Sequence, residues 1–166
     1  MKQFLIILFG VLLVTACSSN DDNNTENEEE QNQETGHFSL RINGDGFSDK
    51  LVELYRDTID FSGRTLFLSS DDNGNSFAFY VDNPVEEVQY GMGPFDNFGN
   101  RARYGSDNGA VYSSGSGNVI IAEIITVNEI CRRYKGNINV TLEKDSDPGS
   151  QISVQGSFDV PFPGCE

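Results

Sequence analysis

The chain has 166 residues, of which 26 are acidic and 11 are basic, and its formal net charge at pH 7 is −15. Such a negative chain repels a phosphate backbone, so nucleic acid is excluded as a favoured partner because the electrostatic contribution that governs its affinity would be repulsive. The single histidine also argues against a histidine-based zinc site, since one imidazole does not supply a usual ligand set.

The first 16 residues have the composition of a secretory signal peptide. Lys2 supplies a positive charge, and residues 4–16 then read FLIILFGVLLVTA without a charged side chain. This run is shorter than the roughly 20 apolar residues that a membrane-spanning helix requires. The sequence therefore predicts a cleaved leader over residues 1–16 and no permanent span there.

The stretch Val14-Thr15-Ala16-Cys17 resembles a bacterial lipobox, in which an aliphatic residue and two small residues precede a cysteine. The resemblance implies that the Cys17 thiol receives a diacylglyceryl group and that the leader is cut after Ala16. Each buried methylene of an acyl chain contributes about 0.8 kcal/mol, so two or more chains give stable attachment to a membrane. The alternative is an ordinary signal peptide followed by a chance cysteine.

Residues 18–36 read SSNDDNNTENEEEQNQETG, with seven acids and no aliphatic, aromatic or basic side chain. Such a segment cannot bury enough apolar surface to offset its ordering entropy, so residues 17–36 are predicted to be a lipidated cysteine and a disordered tether. An acidic stretch after that cysteine resembles the surface-export signal of Bacteroidota lipoproteins. The resemblance implies a lipid anchor in the outer membrane with the domain facing the medium; a periplasmic lipoprotein with a solvated spacer is the alternative.

Residues 37–166 show an alternation of apolar and polar side chains with a period of two. Phe38, Leu40 and Ile42 alternate with polar residues, and similar patterns recur over 77–81, 138–142 and 152–160. Such patterns are typical of half-buried strands in antiparallel sheets. Residues 119–127 are mostly apolar, with Glu123 as the one charged residue, and predict a central strand covered on both faces. LVELYRD, from Leu51, is ambiguous, because Leu51, Leu54, Tyr55 and Ile59 also suit a helical stripe, and we interpret it as a strand.

Turn-forming stretches separate these strands and predict short connections. With them, the pattern indicates an all-β domain over residues 37–166, built as an antiparallel β-sandwich or a barrel-like single domain. The stretches are NGDG (43–46), DDNGN (71–75), DNFGN (96–100), SDNG (106–109), SSGSGN (113–118) and DSDPGS (145–150).

The order of these pieces resembles a family of Bacteroidota lipoproteins that carry one small β domain after the tether. The resemblance implies the all-β fold and the envelope location, but no activity or functional residue, because the family has none assigned. The matching pieces are ING with Phe47 soon after, QYGMG (89–93), ARY (102–104), VYSSGSGNVIIAEI (111–124), YKGNINVTL (134–142) and ISVQGSFDVPF (152–162).

Two cysteines, Cys131 and Cys165, remain after the tether. An exported protein resides in an oxidising compartment, so we expect a disulfide between them. It would close a loop of about 35 residues, which in the chain-entropy model contributes roughly 4 kcal/mol. A reactive cysteine pair is the alternative, although the chain has no CxxC spacing.

Candidate metal and cofactor motifs are weak. An EF-hand loop built on DDNGN with Gly74 at its sixth position would place Tyr80 where a bidentate glutamate is required. Asn-Gly between two strands is also an ordinary hairpin turn, and Asp-Pro-Gly in DSDPGS is a turn for the same reason. We therefore expect no metal and no cofactor, with a calcium-stabilised turn as the alternative.

Catalytic signatures are equally sparse. Every triad would need His37, which lies at the junction of tether and domain, so a serine hydrolase is disfavoured. A glycosidase needs only two carboxylates, and Glu123 within an apolar strand is the acid whose surroundings could raise a pKa. The sequence favours a non-enzymatic binding or envelope-interaction module, and a small carboxylate-based polysaccharide hydrolase is the alternative.

The span YGMGPFDNFGNRARYG (90–105) is the best candidate for ligand binding, because aromatic rings stack on sugar faces and arginine forms a bidentate fork with carboxylates. The ligand would be a glycan or another surface protein, and the alternative is that Phe95 and Phe98 close the end of the core. The basic stretch CRRYK (131–135) is a second candidate, and its simpler interpretation is the solvent-exposed face of a strand. The candidate residues in the first span are Tyr90, Phe95, Phe98, Arg101, Arg103 and Tyr104.

Overall fold

The computed structural model describes residues 36–55, 58–60, 64–94, 99–126 and 132–161, all within one compact unit of the chain, Glu34–Glu166. In these ranges the chain forms ten strands and no helix. The strands are β1 (His37–Gly44), β2 (Phe47–Leu54), β3 (Thr58–Asp60), β4 (Thr65–Ser70), β5 (Ser76–Val81), β6 (Val88–Gly91), β7 (Arg101–Gly105), β8 (Val111–Thr126), β9 (Arg132–Lys144) and β10 (Asp147–Pro161). The predicted leader (1–16) and residues 17–35 of the predicted tether lie outside the described ranges, as do Phe95, Phe98, Cys131 and Cys165.

All ten strands belong to a single antiparallel sheet that curls into a half-barrel. Its strand order is β2-β1-β10-β9-β8-β7-β5-β4-β3, and β6 pairs with the part of β8 that continues beyond β7. The prediction of an all-β, antiparallel, barrel-like domain is confirmed. The predicted strand beginning at Leu51 is also confirmed, as the second half of β2.

The inner face of the curled sheet is an apolar core with an aromatic centre. Phe38 on β1 lies 6.0 Å from Phe77 and 6.1 Å from Phe79 between ring centroids, although β1 and β5 are far apart in the strand order. Phe67 on β4 stacks on Phe79 at 4.6 Å. Fully burying one such ring contributes about 1.5–3 kcal/mol, so contact across the curl stabilises the curvature itself.

Strand β8 departs from the predictions in two places. The stretch SSGSGN was expected to be a turn, but it lies inside β8 at a bulge between Ser114 and Ser116. Gly117 beside it has φ of +109°, a conformation that glycine adopts without the steric cost a side chain would carry. The bulge takes up the extra residue, so the strand continues instead of reversing.

The expectation that residues 119–127 are covered on both faces is wrong. Val119 and Ile121 are buried, but a second bulge between Ile121 and Glu123 reverses the alternation, so that Ile124 packs against the core. Glu123 is thereby turned outward to solvent. Only the inner face of this strand is covered in the described part of the chain.

Polar contacts hold the β1–β2 hairpin against the far side of the curl. In its turn, Asp45 accepts hydrogen bonds from the Tyr112 hydroxyl at 2.6 Å and from Lys144 Nζ at 2.8 Å. On β2, Lys50 Nζ lies 2.9 Å from Asp107 in the β7–β8 turn. The hairpin therefore connects to β8, β9 and the β7–β8 turn through charged side chains as well as through the core.

We expect the Asp45 contacts to stabilise the fold in a pH-dependent way. Hydrogen bonds from Lys144 and then Tyr112 lower the pKa of Asp45 below its ordinary value of 3.8. A carboxyl whose folded pKa is lowered stabilises the protein above the unfolded pKa, and this contribution is lost as pH falls through the folded pKa. Asp45→Asn should therefore be less stable than the parent at neutral pH, with a difference that shrinks at pH below 3.8. Urea unfolding across this pH range measures it; a constant difference would contradict the assignment.

Gly156 on β10 should tolerate no side chain. An added Cβ would lie 3.0 Å from Leu40 Cα and closer still to the Ser39 carbonyl oxygen, both of which are backbone atoms that cannot rotate away. We expect Gly156→Ala to lower the free energy of unfolding by about 1–3 kcal/mol, as overpacking does. The matched control is Gly91→Ala on β6, where an added Cβ meets nothing within 4 Å. Equal denaturation midpoints for the two variants would show that the approach of β1 to β10 is not tight.

Candidate functional site

The outer face of the sheet has two halves of different chemistry. On β9 and β10 the outward positions carry uncharged polar side chains over the middle of the strands: Asn137, Asn139, Ser153, Gln155 and Ser157. On β4 and β5 the outward positions are half-buried and mostly apolar: Leu66, Leu68, Ala78 and Tyr80. A solvated sheet face is expected to be polar, so the second half is the part of the surface that needs an explanation.

Strand register aligns these apolar residues with two arginines on β7. Tyr80 pairs with both Leu66 and Arg101, which forms one row across three strands. Ala78 pairs with both Leu68 and Arg103, which forms the next row. Because residues two apart in a strand share a face, both arginines point outward together.

Between these rows lies a depression of about 330 Å³, here called the outer-face groove. Ala78 makes its floor, because its partners on the two neighbouring strands, Leu68 and Arg103, have longer side chains. Its lining residues are Leu66, Leu68, Ser76, Ala78, Tyr80, Arg101, Ala102, Arg103, Gly105 and Val111. The lining therefore combines aliphatic side chains, the phenol ring of Tyr80, the hydroxyl of Ser76 and two guanidinium groups.

The two arginines of the groove are held in different ways. The Arg101 guanidinium lies over the Tyr80 ring, 4.8 Å from its centroid, in a cation–π contact. Arg103 Nη2 donates a 3.3 Å hydrogen bond to Asp145, whose other carboxylate oxygen accepts from the Ser113 hydroxyl at 2.7 Å. The Arg103 and Asp145 side chains are 49% and 42% exposed, so their ion pair is in contact with water.

Among the predicted ligand-binding residues, Arg101 and Arg103 line the groove but Tyr104 does not. Tyr104 is fully buried on the opposite face of β7, and its hydroxyl donates to Asn75 Oδ1 at 2.8 Å. Burial raises the pKa of Tyr104, so the hydroxyl stays protonated and remains a donor. Tyr104 is a core residue that anchors the β4–β5 turn.

Tyr90 has a local structural task. It lies on β6, half-buried against the core, and its hydroxyl accepts from Val85 N at 2.7 Å and donates to Asn83 O at 3.1 Å. These bonds hold the segment before β6 in place. Tyr90 is not among the residues that line the groove.

Glu123, the carboxyl considered for hydrolysis, is exposed. Its side chain is 51% exposed, and its Oε2 lies 3.7 Å from Lys135 Nζ, which also lies 3.9 Å from Asp159. Glu123 therefore faces solvent beside a lysine and is not enclosed by apolar side chains. No carboxylate occurs among the groove-lining residues that the structure describes.

The DDNGN stretch forms the turn between β4 and β5. Asp71 accepts hydrogen bonds from the backbone N–H groups of Asn73 and Asn75 and from the side-chain amide of Asn75. Partial burial opposes ionisation of Asp71, but these hydrogen bonds together outweigh it and lower its pKa. The carboxylate thus satisfies the turn itself, and no group of three or more acidic, cysteine or histidine side chains placed to hold a metal occurs among the described residues.

The residues that sequence reasoning missed are Leu66, Leu68, Ala78 and Tyr80. A usable signal was present, because these positions alternate with the buried Phe67, Phe77 and Phe79 yet are not polar. Apolar residues on both faces of β4 and β5 indicate a second contact surface. Their alignment with Arg101 and Arg103 depends on strand register, which the sequence does not show.

Comparison of the chain with known protein families, with curated proteins and with solved structures found no match. No helix in the described ranges has the length and apolar character needed to cross a bilayer.

Proposed function

We propose that this chain is a lipid-anchored module of the cell surface that binds a glycan in the outer-face groove without transforming it. The observation that carries the proposal is the groove, in which aliphatic, aromatic and cationic side chains converge on an otherwise polar sheet face. Apolar walls with a few placed polar groups are typical of small-ligand sites.

The size and position of the groove favour a sugar unit over a protein segment. Its volume of about 330 Å³ is near the lower end of the roughly 300–1,000 Å³ of small-molecule sites. The floor strand β5 is paired on both sides, by β4 and β7, so a peptide cannot add to it as a further strand. A pyranose ring has a C–H face for Leu68 and Ala78 and hydroxyls for polar partners at the rim.

The sequence supports the anchoring part of the proposal. Residues 14–17 provide the lipobox, and seven acids in residues 18–36 provide the solvated tether that precedes β1. On this proposal the acylated Cys17 lies in the outer membrane, and the domain faces the medium. A disulfide between Cys131 and Cys165 stays a prediction for the same oxidising compartment.

The chemistry of the groove supports binding over hydrolysis. Glycoside hydrolysis by a carboxylate pair requires two acids on either side of the scissile bond, at roughly 5–9.5 Å from each other. The lining of the groove, as far as the described residues extend, has none, and Glu123 lies on β8 outside it. No observation favours the hydrolase alternative over the binding module.

We expect Cys17→Ala to abolish acylation and to remove the chain from the membrane fraction or leave the leader uncut. Without the thiol no thioether forms, and the acyl chains that stabilise attachment are absent. Mass spectrometry of the amino-terminal peptide and membrane fractionation measure the change. Cys165→Ala is the matched control and should keep the acyl mass. An amino terminus at another residue, without acyl mass in the parent protein, would rule out the anchor.

We expect Ala78→Leu to abolish glycan binding by filling the floor of the groove. The readout is the affinity of the whole chain, in an uncharged detergent, for a panel of acidic and neutral polysaccharides. The matched control is Ala122→Leu on β8, an exposed alanine outside the groove. Both variants should keep the free energy of unfolding within about 0.5 kcal/mol of the parent, as surface changes do. Binding that survives Ala78→Leu, or a parent protein that binds no glycan, would overturn the proposal.

A further inference from the structure

We infer that the glycan bound in the outer-face groove is anionic, and that Arg103 releases Asp145 and binds one of the glycan carboxylates in its place. This inference rests on the proposed function and specifies the ligand class for the same groove. It also assigns a role to Asp145, which lies in the turn between β9 and β10 and is not a lining residue.

The charged side chains that line the groove in the described part of the chain are both basic, although the chain as a whole is acidic. After residue 36 the chain carries 19 acids and 10 bases, since seven acids and Lys2 precede it. Two of those ten bases line one small groove, none of whose described lining residues is acidic, and one of the two pairs with Asp145 beside it. On a protein of net charge −15, a cationic site of this kind favours a ligand with negative groups.

The chemistry of the two arginines favours carboxylate as that negative group. A guanidinium presents a planar fork of donors that matches a carboxylate with two parallel hydrogen bonds. Arg101 and Arg103 are two residues apart on one strand, so their backbones are about 7 Å from each other along the edge of the groove. A uronate placed on the apolar floor can reach Arg103 with its carboxylate, while Arg101 remains over Tyr80 and adds positive charge.

The pair of Arg103 with Asp145 is suited to exchange. The hydrogen bond is long, at 3.3 Å, and both side chains are nearly half exposed. Exposed ion pairs contribute little to stability, so replacing Asp145 by a ligand carboxylate costs little. Asp145 keeps its hydrogen bond from the Ser113 hydroxyl when Arg103 turns to the ligand, so its carboxylate is not left without a donor.

Asp145 therefore acts as an internal competitor that positions Arg103 and also weakens ligand binding. Removing its charge should raise affinity for an acidic glycan, whereas removing Arg103 should lower it. If the ion pair had a purely structural role, both substitutions would change the affinity in the same direction, because either one breaks the pair. Affinity changes of opposite direction in the two variants therefore indicate exchange.

The test uses three acidic polysaccharides, polygalacturonate, alginate and hyaluronan, each beside its carboxyl-reduced form, in which the uronates are neutral sugars. The whole chain in an uncharged detergent should bind one or more of the acidic forms and bind their reduced forms much more weakly. Arg103→Gln should lower that affinity roughly tenfold, as the loss of a charged hydrogen bond does. Asp145→Asn should raise it severalfold.

The β1–β2 pair of Arg41 and Asp49 provides matched controls, because it is also an exposed arginine–aspartate ion pair, with 2.6 Å between its charged atoms. Arg41→Gln and Asp49→Asn change the net charge of the chain by the same amounts but lie on strands that do not line the groove. Both should leave affinity unchanged. If Asp49→Asn strengthened binding as much as Asp145→Asn, net charge alone would explain the effect, and the exchange would be overturned.

The remaining outcomes separate this inference from the proposed function. Equal binding of acidic and carboxyl-reduced forms, both lost in Ala78→Leu, would overturn the anionic ligand and leave the groove as a glycan site. Binding of no polysaccharide of either kind would overturn both. Unfolding curves check that Arg103→Gln is folded, and Asp145→Asn tests the exchange independently if it is not.

Discussion

One sheet without a second layer has to bury its own apolar face, and the structure of this domain depends on that constraint. No helix covers the sheet among the described residues, so the inward side chains of β1 and β10 must meet those of β4 and β5 across the curl. Phenylalanine supplies the reach, because aromatic rings project far enough for contact at centroid distances of about 5–7 Å. The core thus dictates the curvature, and the curvature places strands that are distant in sequence on one continuous outer surface.

Curvature also explains why glycines and bulges lie in the long strands. Gly156 lets β1 approach β10 where an added Cβ would meet the backbone near Leu40, and two bulges let β8 change its inward positions along its length. Each bulge increases the local twist of the strand and re-aims the side chains after it. The same device that bends the sheet turns Glu123 outward and leaves it beside Lys135. The second bulge in β8 therefore serves the packing of the core and also determines that Glu123 is exposed on the surface.

The strands, their alternation and most of their turns could be predicted because each depends on residues close in sequence. Phe38, Leu40 and Ile42 define an inward face by themselves, and SDNG or DDNGN define turns by their own conformational preferences. Bulges were not predicted, since SSGSGN has the composition of a turn, and it is kept extended by pairing with β9 and, at its two ends, with β7 and β6. The groove was half predicted: Arg101 and Arg103 were identified, but Leu66, Leu68 and Ala78 join them only through the β4–β5–β7 register.

The charge distribution makes binding at the proposed site depend on the ionic strength of the medium. At a physiological ionic strength of about 0.15 M the screening length is roughly 8 Å, so the acidic surface repels a polyanion only at short range. Contacts within the groove act over shorter distances than that and in a partly apolar setting, where screening by salt is weaker. On the proposal of an anionic ligand, repulsion by the chain as a whole opposes loose, non-specific adsorption of acidic polymers, whereas Arg103 and the apolar floor would bind the segment that fits. A negative protein with a small cationic groove can in this way bind one acidic glycan selectively where a positive surface would bind any.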